Sequence, residues 1–214
     1  MRSPGLVLII LLVIALASPS AAVADDPGSR NFEITPFAGY TWGGQFNDAV
    51  TGADLNIRDA ANYGLMLDFK QEEQNWIELY VSHQPTKLRP DRGALSGTPG
   101  FNLDIDYYHI GGTHGWEGER VMPYIAGTLG VTHMTPQGPG LDPVTKFSLS
   151  LGGGVKVYAT ERIGFRLEGR WFGTLFNGSG SVFCASSGGA ACAINVQGDL
   201  FSQFVANAGL ILAF

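Results

Sequence analysis

The sequence predicts an all-β fold, an eight-stranded antiparallel up-and-down transmembrane β-barrel. Three observations lead to this prediction. Apolar residues recur at every second position in eight segments, and the connections between these segments alternate between short and long. Charged residues make up only 15% of the 214 residues, against about 25% in an ordinary soluble domain. A charge content this low is unusual for a chain that folds in water.

The N-terminus is predicted to be a signal peptide and not part of the fold. An unbroken apolar run extends from Leu6 to Leu16, and Ala22-Val23-Ala24 after it forms an A-x-A cleavage site. An uncleaved membrane anchor is the alternative, but the run is shorter than the ~20 residues of a spanning helix. The protein is therefore predicted to be exported. The predicted parts are 1–24, the signal peptide cleaved after Ala24; 25–30, a short periplasmic segment; and 31–214, the barrel domain.

The first four predicted strands carry apolar residues on one face and small or polar residues on the other, because side chains alternate across a strand. Their apolar faces are Phe32, Ile34, Ala38, Tyr40 and Trp42; Tyr63, Leu65, Leu67 and Phe69; Ile77, Leu79 and Val81; and Leu103, Ile105 and Tyr107. Proline is normally confined to sheet edges or bulges. We therefore expect a bulge or irregular pairing at Pro36.

The last four predicted strands repeat the alternation. Their apolar faces are Ile125, Leu129 and Val131; Phe147, Leu149, Leu151, Val155 and Val157; Phe165, Leu167 and Trp171; and Phe204, Leu210, Leu212 and Phe214. Gly152 and Gly154 occupy the opposite face of one of these strands, where glycine lets a crowded strand bend. The total is even, as in bacterial membrane barrels of antiparallel strands.

The connections between the predicted strands are sorted by length. The short ones are about 71–75, 114–120 and 160–163. The long ones are about 44–60, 84–101, 134–146 and 175–200, all rich in Gly, Pro, Asn and Asp. Outer-membrane barrels have tight turns at the periplasmic end and longer loops at the external end. A soluble β-sandwich would have no reason for this alternation.

The chemistry of the two faces decides between a soluble and a membrane barrel. A soluble barrel has an apolar interior, whereas a membrane barrel has an apolar exterior and a polar lumen. The strands carry only scattered charges, which favours the membrane barrel, and each charge in its lumen needs a partner. We expect Arg166 and Arg170 to face carboxylates across the interior. The predicted lumen charges are Glu33, Glu78, Asp104, Asp106, Lys156, Arg166, Glu168 and Arg170.

The C-terminus resembles the signal read by the outer-membrane barrel assembly machinery, with matching residues at Asn207, Gly209, Leu212 and Phe214. The segments 32–40 and 162–170 resemble the small porin-like outer-membrane β-barrel domain family. The resemblance covers residues 31–214 and implies location in the outer membrane of a Gram-negative-type envelope. It also implies two partners, the outer-membrane lipids and the assembly machinery. Members of such families include adhesins, envelope anchors and minor channels, so the resemblance leaves the activity open.

Two cysteines, Cys184 and Cys192, lie in the longest connection. In an oxidising compartment, an even number of cysteines this close together predicts a disulfide. A metal or redox pair is the alternative, but it would require a nearby histidine or a C-x-x-C spacing, and the sequence has neither. The predicted disulfide would stiffen an exposed loop.

The sequence contains no convincing catalytic, cofactor or nucleic-acid site. The net charge of −6 argues against nucleic acid, and Gly152–Lys156 lacks the spacing of a phosphate loop. Of the histidines His83, His109, His114 and His133, none has the neighbours of a lipid deacylase; His133 is followed at +2 by Thr135. Asp104 and Asp106 share a face, as a metal pair would, but lumen carboxylates are the simpler interpretation.

The predicted function is a structural or surface-interaction role, in which the long external loops make the contacts and the lumen is filled. The first alternative is a narrow porin-like channel, which is disfavoured because side chains fill the interior of an eight-stranded barrel. The second alternative is an outer-membrane lipid-modifying enzyme. No external ligand can be identified from the sequence.

Overall fold

The computed structural model describes residues 30–47, 54–90, 101–116, 118, 120–138, 141–176, 179–184, 192–197 and 200–214. These residues form strands, numbered here in chain order. They are β1 (Phe32–Gly43), β2 (Gln45–Asn47), β3 (Asp54–Ile57), β4 (Ala60–Lys70), β5 (Asn75–Pro90), β6 (Phe101–Gly115), β7 (Val121–Gln137), β8 (Val144–Tyr158), β9 (Ile163–Leu175), β10 (Ser179–Cys184), β11 (Cys192–Gln197) and β12 (Leu200–Ala213). The described residues include no helix that is long and apolar enough to cross a membrane.

Eight of these strands form a closed antiparallel barrel. Each of β1, β4, β5, β6, β7, β8, β9 and β12 pairs with its neighbour in this order, and β12 pairs with β1 to close the ring. The remaining four strands are short, with β2 and β3 extending the edge at β5 and β10 and β11 forming a separate hairpin. The predicted fold class is confirmed.

The two ends of the described chain meet at the closure of the barrel. The backbone N–H groups of Asn31 and Phe32 donate to the carbonyl of Phe214, and the N–H of Phe214 donates to the carbonyl of Phe32 over 2.8 Å. Because β1 lies between β4 and β12, its first residues have a backbone partner on both sides. Phe214, directly after β12, therefore completes the backbone hydrogen bonding between the last barrel strand and the first.

Pro36 interrupts one ladder without a bulge. On the side of β12 the paired residues step from Ile34 to Phe37 and omit two positions, but the register before and after the gap is the same. On the side of β4 the pairing is continuous through Pro36. Proline has no N–H to donate, so pairing to one neighbour lapses while the strand stays in register. Of the two expected irregularities, interrupted pairing is confirmed and a bulge is not formed.

The strands are longer at one end than the apolar alternation predicts. Residues 84–90, 134–137 and 144–146 belong to β5, β7 and β8, so the connection between β7 and β8 shrinks to 138–143. At the other end the connections are 71–74, 116–120 and 159–162. The strands were underestimated because their outward residues turn polar here, which removes the apolar alternation used to recognise them.

The barrel is apolar outside and polar inside. Ile110, Leu151 and Phe204 point outward with exposed fractions of 58%, 61% and 61%, whereas the inward Lys156 and Arg170 are exposed by 0% and 1%. This is the inverse of a soluble protein and the arrangement of a membrane barrel. The predicted orientation of the two faces is confirmed for seven of the eight strands; β6 departs from it, as described below.

Strand β7 shows the height of the apolar band. Its outward residues are apolar or glycine from Val121 to Val131, a stretch of 11 residues, and become polar from His133 to Gln137. A tilted strand needs about 9–11 residues to cross the hydrocarbon core. The edge of the band nearer the β7–β8 connection, called the upper edge here, therefore lies between Val131 and His133. Beyond this edge β7 continues outside the membrane.

Two glycines on neighbouring strands, one facing the lumen and one facing outward, provide a test of how tightly the lumen is packed. A Cβ on inward Gly154 would collide with the carbonyl of Leu167 and lie 2.8 Å from the Tyr124 hydroxyl, whereas a Cβ on outward Gly169 would meet nothing within 4 Å. We expect Gly154→Ala to lower the free energy of unfolding by about 1–3 kcal/mol through overpacking. Gly169→Ala should change it by less than about 0.5 kcal/mol.

The measurement is urea unfolding of the refolded barrel, followed by tryptophan fluorescence. The two positions are matched because Gly154 and Gly169 lie on the paired strands β8 and β9. Equal stability of the two variants would contradict close packing of the lumen at this level.

Candidate functional site

Seven charged side chains form a buried cluster inside the barrel, which we call the lumen charge network. Its members are Glu33, Asp68, Glu78, Lys156, Arg166, Glu168 and Arg170, each exposed by no more than 4%. Three of them, Arg166, Glu168 and Arg170, are alternate residues of β9, so the period of the strand directs all three inward. The other four lie on β1, β4, β5 and β8, so the network crosses the interior.

Arg166 lies at the centre of the network. Its guanidinium donates to the carboxylates of Asp68 (2.8 Å), Glu78 (2.5 Å) and Glu168 (2.7 Å). Its Nε donates to the hydroxyl oxygen of Tyr124 over 2.6 Å, and that hydroxyl donates to Glu168 over 2.6 Å. All three guanidinium nitrogens are thereby used, which is the condition under which a buried guanidinium is tolerated.

Arg170 shares two of the same carboxylates. Its Nε donates to Glu168 over 2.7 Å, and its Nη2 donates to Glu78 over 2.6 Å. Nη1 donates to the Ser150 hydroxyl at 3.3 Å. Glu78 and Glu168 therefore each bind both arginines, so the four groups form a closed ion-pair ring across the lumen.

Lys156 extends the network to β1 and β4. Its ammonium group donates to Glu33 over 2.6 Å and to Asp68 over 3.3 Å. The Tyr158 hydroxyl donates to the second oxygen of Glu33 over 2.6 Å. Asp68 thus joins Lys156 to Arg166. The network is continuous from one wall of the barrel to the other.

Asp68 is a member of the network that the sequence did not predict. The residue lies on the polar face of the second predicted strand, in the same phase as Gly64 and Met66, and that phase was the available signal. Its partners lie 88 and 98 positions away in the chain. Only the closure of the barrel brings β4 opposite β8 and β9.

The prediction that Asp104 and Asp106 face Arg166 and Arg170 is wrong. Both point outward from β6: Asp106 pairs with His83 at 2.6 Å, and Asp104 accepts a hydrogen bond from Gln137 over 2.6 Å. The inward positions of this part of β6 are Leu103, Ile105 and Tyr107. This part of β6 lies beyond the apolar band. Its outward face therefore meets a polar environment, and its inward face packs on apolar side chains.

Two further layers fill the lumen beyond the network. The first is aromatic: Tyr107 stacks on Phe172 with ring centroids 4.1 Å apart, and Tyr80 lies 5.4 Å from Phe172. The second is an apolar core at the end of the barrel where the strands are extended, called the external apolar core in anticipation of the orientation proposed below; there Ile57, Leu88, Leu103, Ile105, Met134, Phe176 and Phe201 are buried against one another. The lumen is therefore closed by three successive layers of different chemistry.

The four histidines are distributed over the barrel. His109 is buried in the lumen, where its ring nitrogens bond the hydroxyls of Thr128 and Ser148 at 3.0 and 2.8 Å. His114 bonds Asn75 near the short connections. His83 and His133 face outward on either side of Asp106, to which both are paired in register.

This outward row does not assemble a hydrolytic triad. The carboxylate of Asp106 binds His83, while the Thr145 hydroxyl bonds His133 at 2.7 Å, so the acid and the hydroxyl contact different imidazoles. Among the residues that the structure describes, no three His, Cys, Asp or Glu side chains are grouped so that they could hold a metal ion.

The four residues of the predicted assembly signal lie on β12 and at its end. Asn207 points into the lumen, where its side-chain oxygen accepts a hydrogen bond from Asn62 over 3.0 Å. Gly209 lies against β1, where a Cβ would come within 2.9 Å of the Pro36 carbonyl. Leu212 and Phe214 point outward. Their recognition by assembly machinery stays a prediction.

The predicted disulfide also stays a prediction. The backbones of β10 and β11 pair Cys184 directly with Cys192, and residues directly opposite on antiparallel strands have Cα atoms within the range that disulfides span. The signal peptide and its cleavage site lie outside the described residues.

Solved structures with a similar fold include two outer-membrane proteins and a Neisserial surface protein. The crystal structure of Neisserial surface protein A matches with a TM-score of 0.57 at 11% identity, covering 86% of this chain and 97% of that chain. Outer membrane protein AlkL, solved by solid-state NMR in DMPC lipid bilayers, matches with a TM-score of 0.57 at 12% identity, covering 92% and 96%. OprG from Pseudomonas aeruginosa matches with a TM-score of 0.50 at 13% identity, covering 87% and 99%. No protein-family profile and no curated protein sequence matches the chain.

Proposed function

We propose that this chain, which has the fold of the eight-stranded outer-membrane barrels, is an integral outer-membrane protein that acts through its external end and not through its lumen. Its role is structural or one of surface interaction. The short connections at 71–74, 116–120 and 159–162 face the periplasm, as short turns do in outer-membrane barrels. The opposite end, with the extended strands, faces the exterior.

The single observation that supports this role best is the filling of the lumen. A conducting pore needs a continuous path for water and ions. Here the three cations of the lumen charge network each have carboxylate partners, and the Tyr107–Phe172 stack and the external apolar core lie beyond them. An ion entering this lumen would have to break paired charges and then cross an apolar layer, which is expensive for any charge.

A second observation favours action at the external end. On β5, β6 and β7 the outward residues beyond the apolar band are polar apart from Pro85. The polar ones are His83, Lys87, Asn102, Asp104, Asp106, His133, Thr135 and Gln137. These strands rise above the membrane as a sheet, so they hold polar side chains in fixed positions. The enzymatic alternative has less support, because Asp106 and Thr145 contact different histidines.

Conductance of the purified protein tests the sealed lumen. We expect wild-type protein refolded into a planar bilayer to show no discrete conductance steps, because its lumen has no continuous water path. The outward variant Leu129→Ala, which faces the lipid, is the matched control and should also be silent. Stable single-channel steps in the wild type would contradict the proposal and favour the channel alternative.

A further inference from the structure

An open cavity of ≈ 380 Å³ lies on the external rim of the barrel, outside the lumen charge network. We call it the rim cavity. Its lining residues are Arg58, Asp59, Ala60, Pro85, Thr86, Lys87, Asn102, Asp104 and Gln137. They come from the β3–β4 connection and from the upper ends of β4, β5, β6 and β7, and the outward sheet positions are held by continuous strand pairing.

The carboxylates of the rim cavity accept hydrogen bonds from the protein, whereas its cations form no ion pair with a described carboxylate. Asp104 accepts a hydrogen bond from Gln137 over 2.6 Å, and Asp59 accepts one from the backbone N–H of Gly43 over 3.2 Å. The side chains of Arg58 and Lys87 are exposed and form no ion pair with any carboxylate in the part of the chain that the structure describes. The charged groups of the cavity that are left to bind an anion are therefore the two cations.

The backbone keeps these two cations close together. The N–H of Arg58 donates to the carbonyl of Lys87 over 3.0 Å, and the Thr86 hydroxyl donates to the carbonyl of Arg58. The two side chains are therefore attached to neighbouring backbone positions that are hydrogen-bonded to each other near the end of β5. Two positive side chains anchored this way can converge on a single anionic group.

The height of the rim cavity relates it to the membrane. The outward surface turns polar at His83, and the cavity residues Pro85 and Lys87 follow two and four positions later on the same strand. With ~3.3 Å per residue and a tilt of ~40°, they lie about 5–10 Å beyond the edge of the apolar band. The lipid headgroups extend roughly 5–7 Å beyond the hydrocarbon core, so Pro85 lies at their depth and the backbone of Lys87 lies just outside it, within reach of its long side chain.

We infer that the rim cavity binds the headgroup of an outer-leaflet lipid that carries a phosphate and sugar-like hydroxyls. Arg58 and Lys87 bind the phosphate as charge-assisted donors. Asn102, Asp104 and Gln137 present amide and carboxylate groups, which pair with hydroxyls. The acyl chains of the same lipid then lie along the apolar face of β5 and β6 below, at Val81 and Ile110. The inference rests on the orientation proposed above.

The test is a lipid titration of the refolded protein in micelles, with bound lipids counted by native mass spectrometry. The probe is a bisphosphorylated glucosamine-disaccharide glycolipid, compared with the same lipid after removal of its phosphates. The variants are Arg58→Gln, Lys87→Gln and the pair together. Arg162→Gln, which removes an exposed cation from a short connection at the opposite end, is the matched control. Retained heat-modifiability shows that each variant is folded.

We expect the phosphorylated lipid to bind and its dephosphorylated form to bind at least tenfold more weakly. Each single variant should weaken binding about fivefold and the pair about 25-fold, as about 1 kcal/mol per cation near an anionic surface implies. Arg162→Gln should stay within about twofold of wild type. Equal binding of both lipids, or an unchanged pair variant, would overturn the inference. So would equal affinity for soluble glucosamine 1-phosphate, since the source would then be a free anion. None of these outcomes depends on whether the lumen conducts.

Discussion

Arg166→Ala is expected to lower the free energy of unfolding by about 3–5 kcal/mol, since it leaves uncompensated buried carboxylates. Arg166 contacts three of them, Asp68, Glu78 and Glu168, and is the only described side chain that binds all three. Within the network three cations face four carboxylates, so no spare positive charge can replace it. The measurement is urea unfolding of the refolded barrel together with the temperature of heat-modifiability.

Two further variants separate this effect from a simple loss of side-chain volume. Arg162→Ala removes an exposed arginine four residues earlier and should change stability by less than about 0.5 kcal/mol. Adding Glu78→Gln to Arg166→Ala removes one of the stranded charges and should recover part of the lost stability, as a double-mutant cycle would show. If Arg166→Ala were as stable as wild type, the ion pairs of the network would not hold the barrel together.

Deleting Phe214 is expected to reduce the protein in the outer membrane to a small fraction of the wild-type level. The residue closes the barrel through three backbone hydrogen bonds to Asn31 and Phe32, and it carries the terminal aromatic ring of the predicted assembly signal. Without it, the strand that must pair with β1 lacks both its final backbone contacts and its recognition element. The measurement is immunoblotting of fractionated outer membranes.

Point variants distinguish the side chain from the backbone. Phe214→Leu keeps the backbone bonds, as does Phe204→Leu on β12, which ends directly before Phe214. The two side chains have nearly equal exposed fractions of 60% and 61%. We expect Phe204→Leu to assemble normally, Phe214→Leu to assemble less well and Phe214→Asp to fail. Equal outer-membrane levels of the two leucine variants would remove the terminal aromatic residue from the assembly signal.

The sequence was most informative where the surroundings of a strand stay the same along its length. Inside the apolar band every outward residue meets lipid, so a period of two in the sequence corresponds directly to a face of the sheet, as in β9 with Arg166, Glu168 and Arg170. Above the band the outward environment is polar. There the polar residues of an alternating strand point outward and the apolar ones inward, which is why the alternation wrongly predicts Asp104 and Asp106 in the lumen.

Strand phase predicts which side chains enter the lumen charge network, but it does not predict which of them pair with each other. That Glu33, Glu78 and Lys156 point inward follows from the phase of each strand. Which carboxylate binds which cation follows from register and closure, as for Asp68, which meets Arg166 across 98 positions of sequence. The rim cavity also depends on strand pairing, because Arg58 and Gln137 come together only when β4, β5, β6 and β7 lie side by side in the sheet.

By itself the sequence determined the eight barrel strands and, for seven of them, which face is apolar, because side-chain alternation is a local property of an extended backbone. The tertiary structure alone decided the partners of the buried charges, the outward positions of Asp104 and Asp106, and the backbone hydrogen bond between Arg58 and Lys87 at the rim. These features are set by register and by closure of the ring. Both are relations between distant segments and leave no mark on the local pattern of either one.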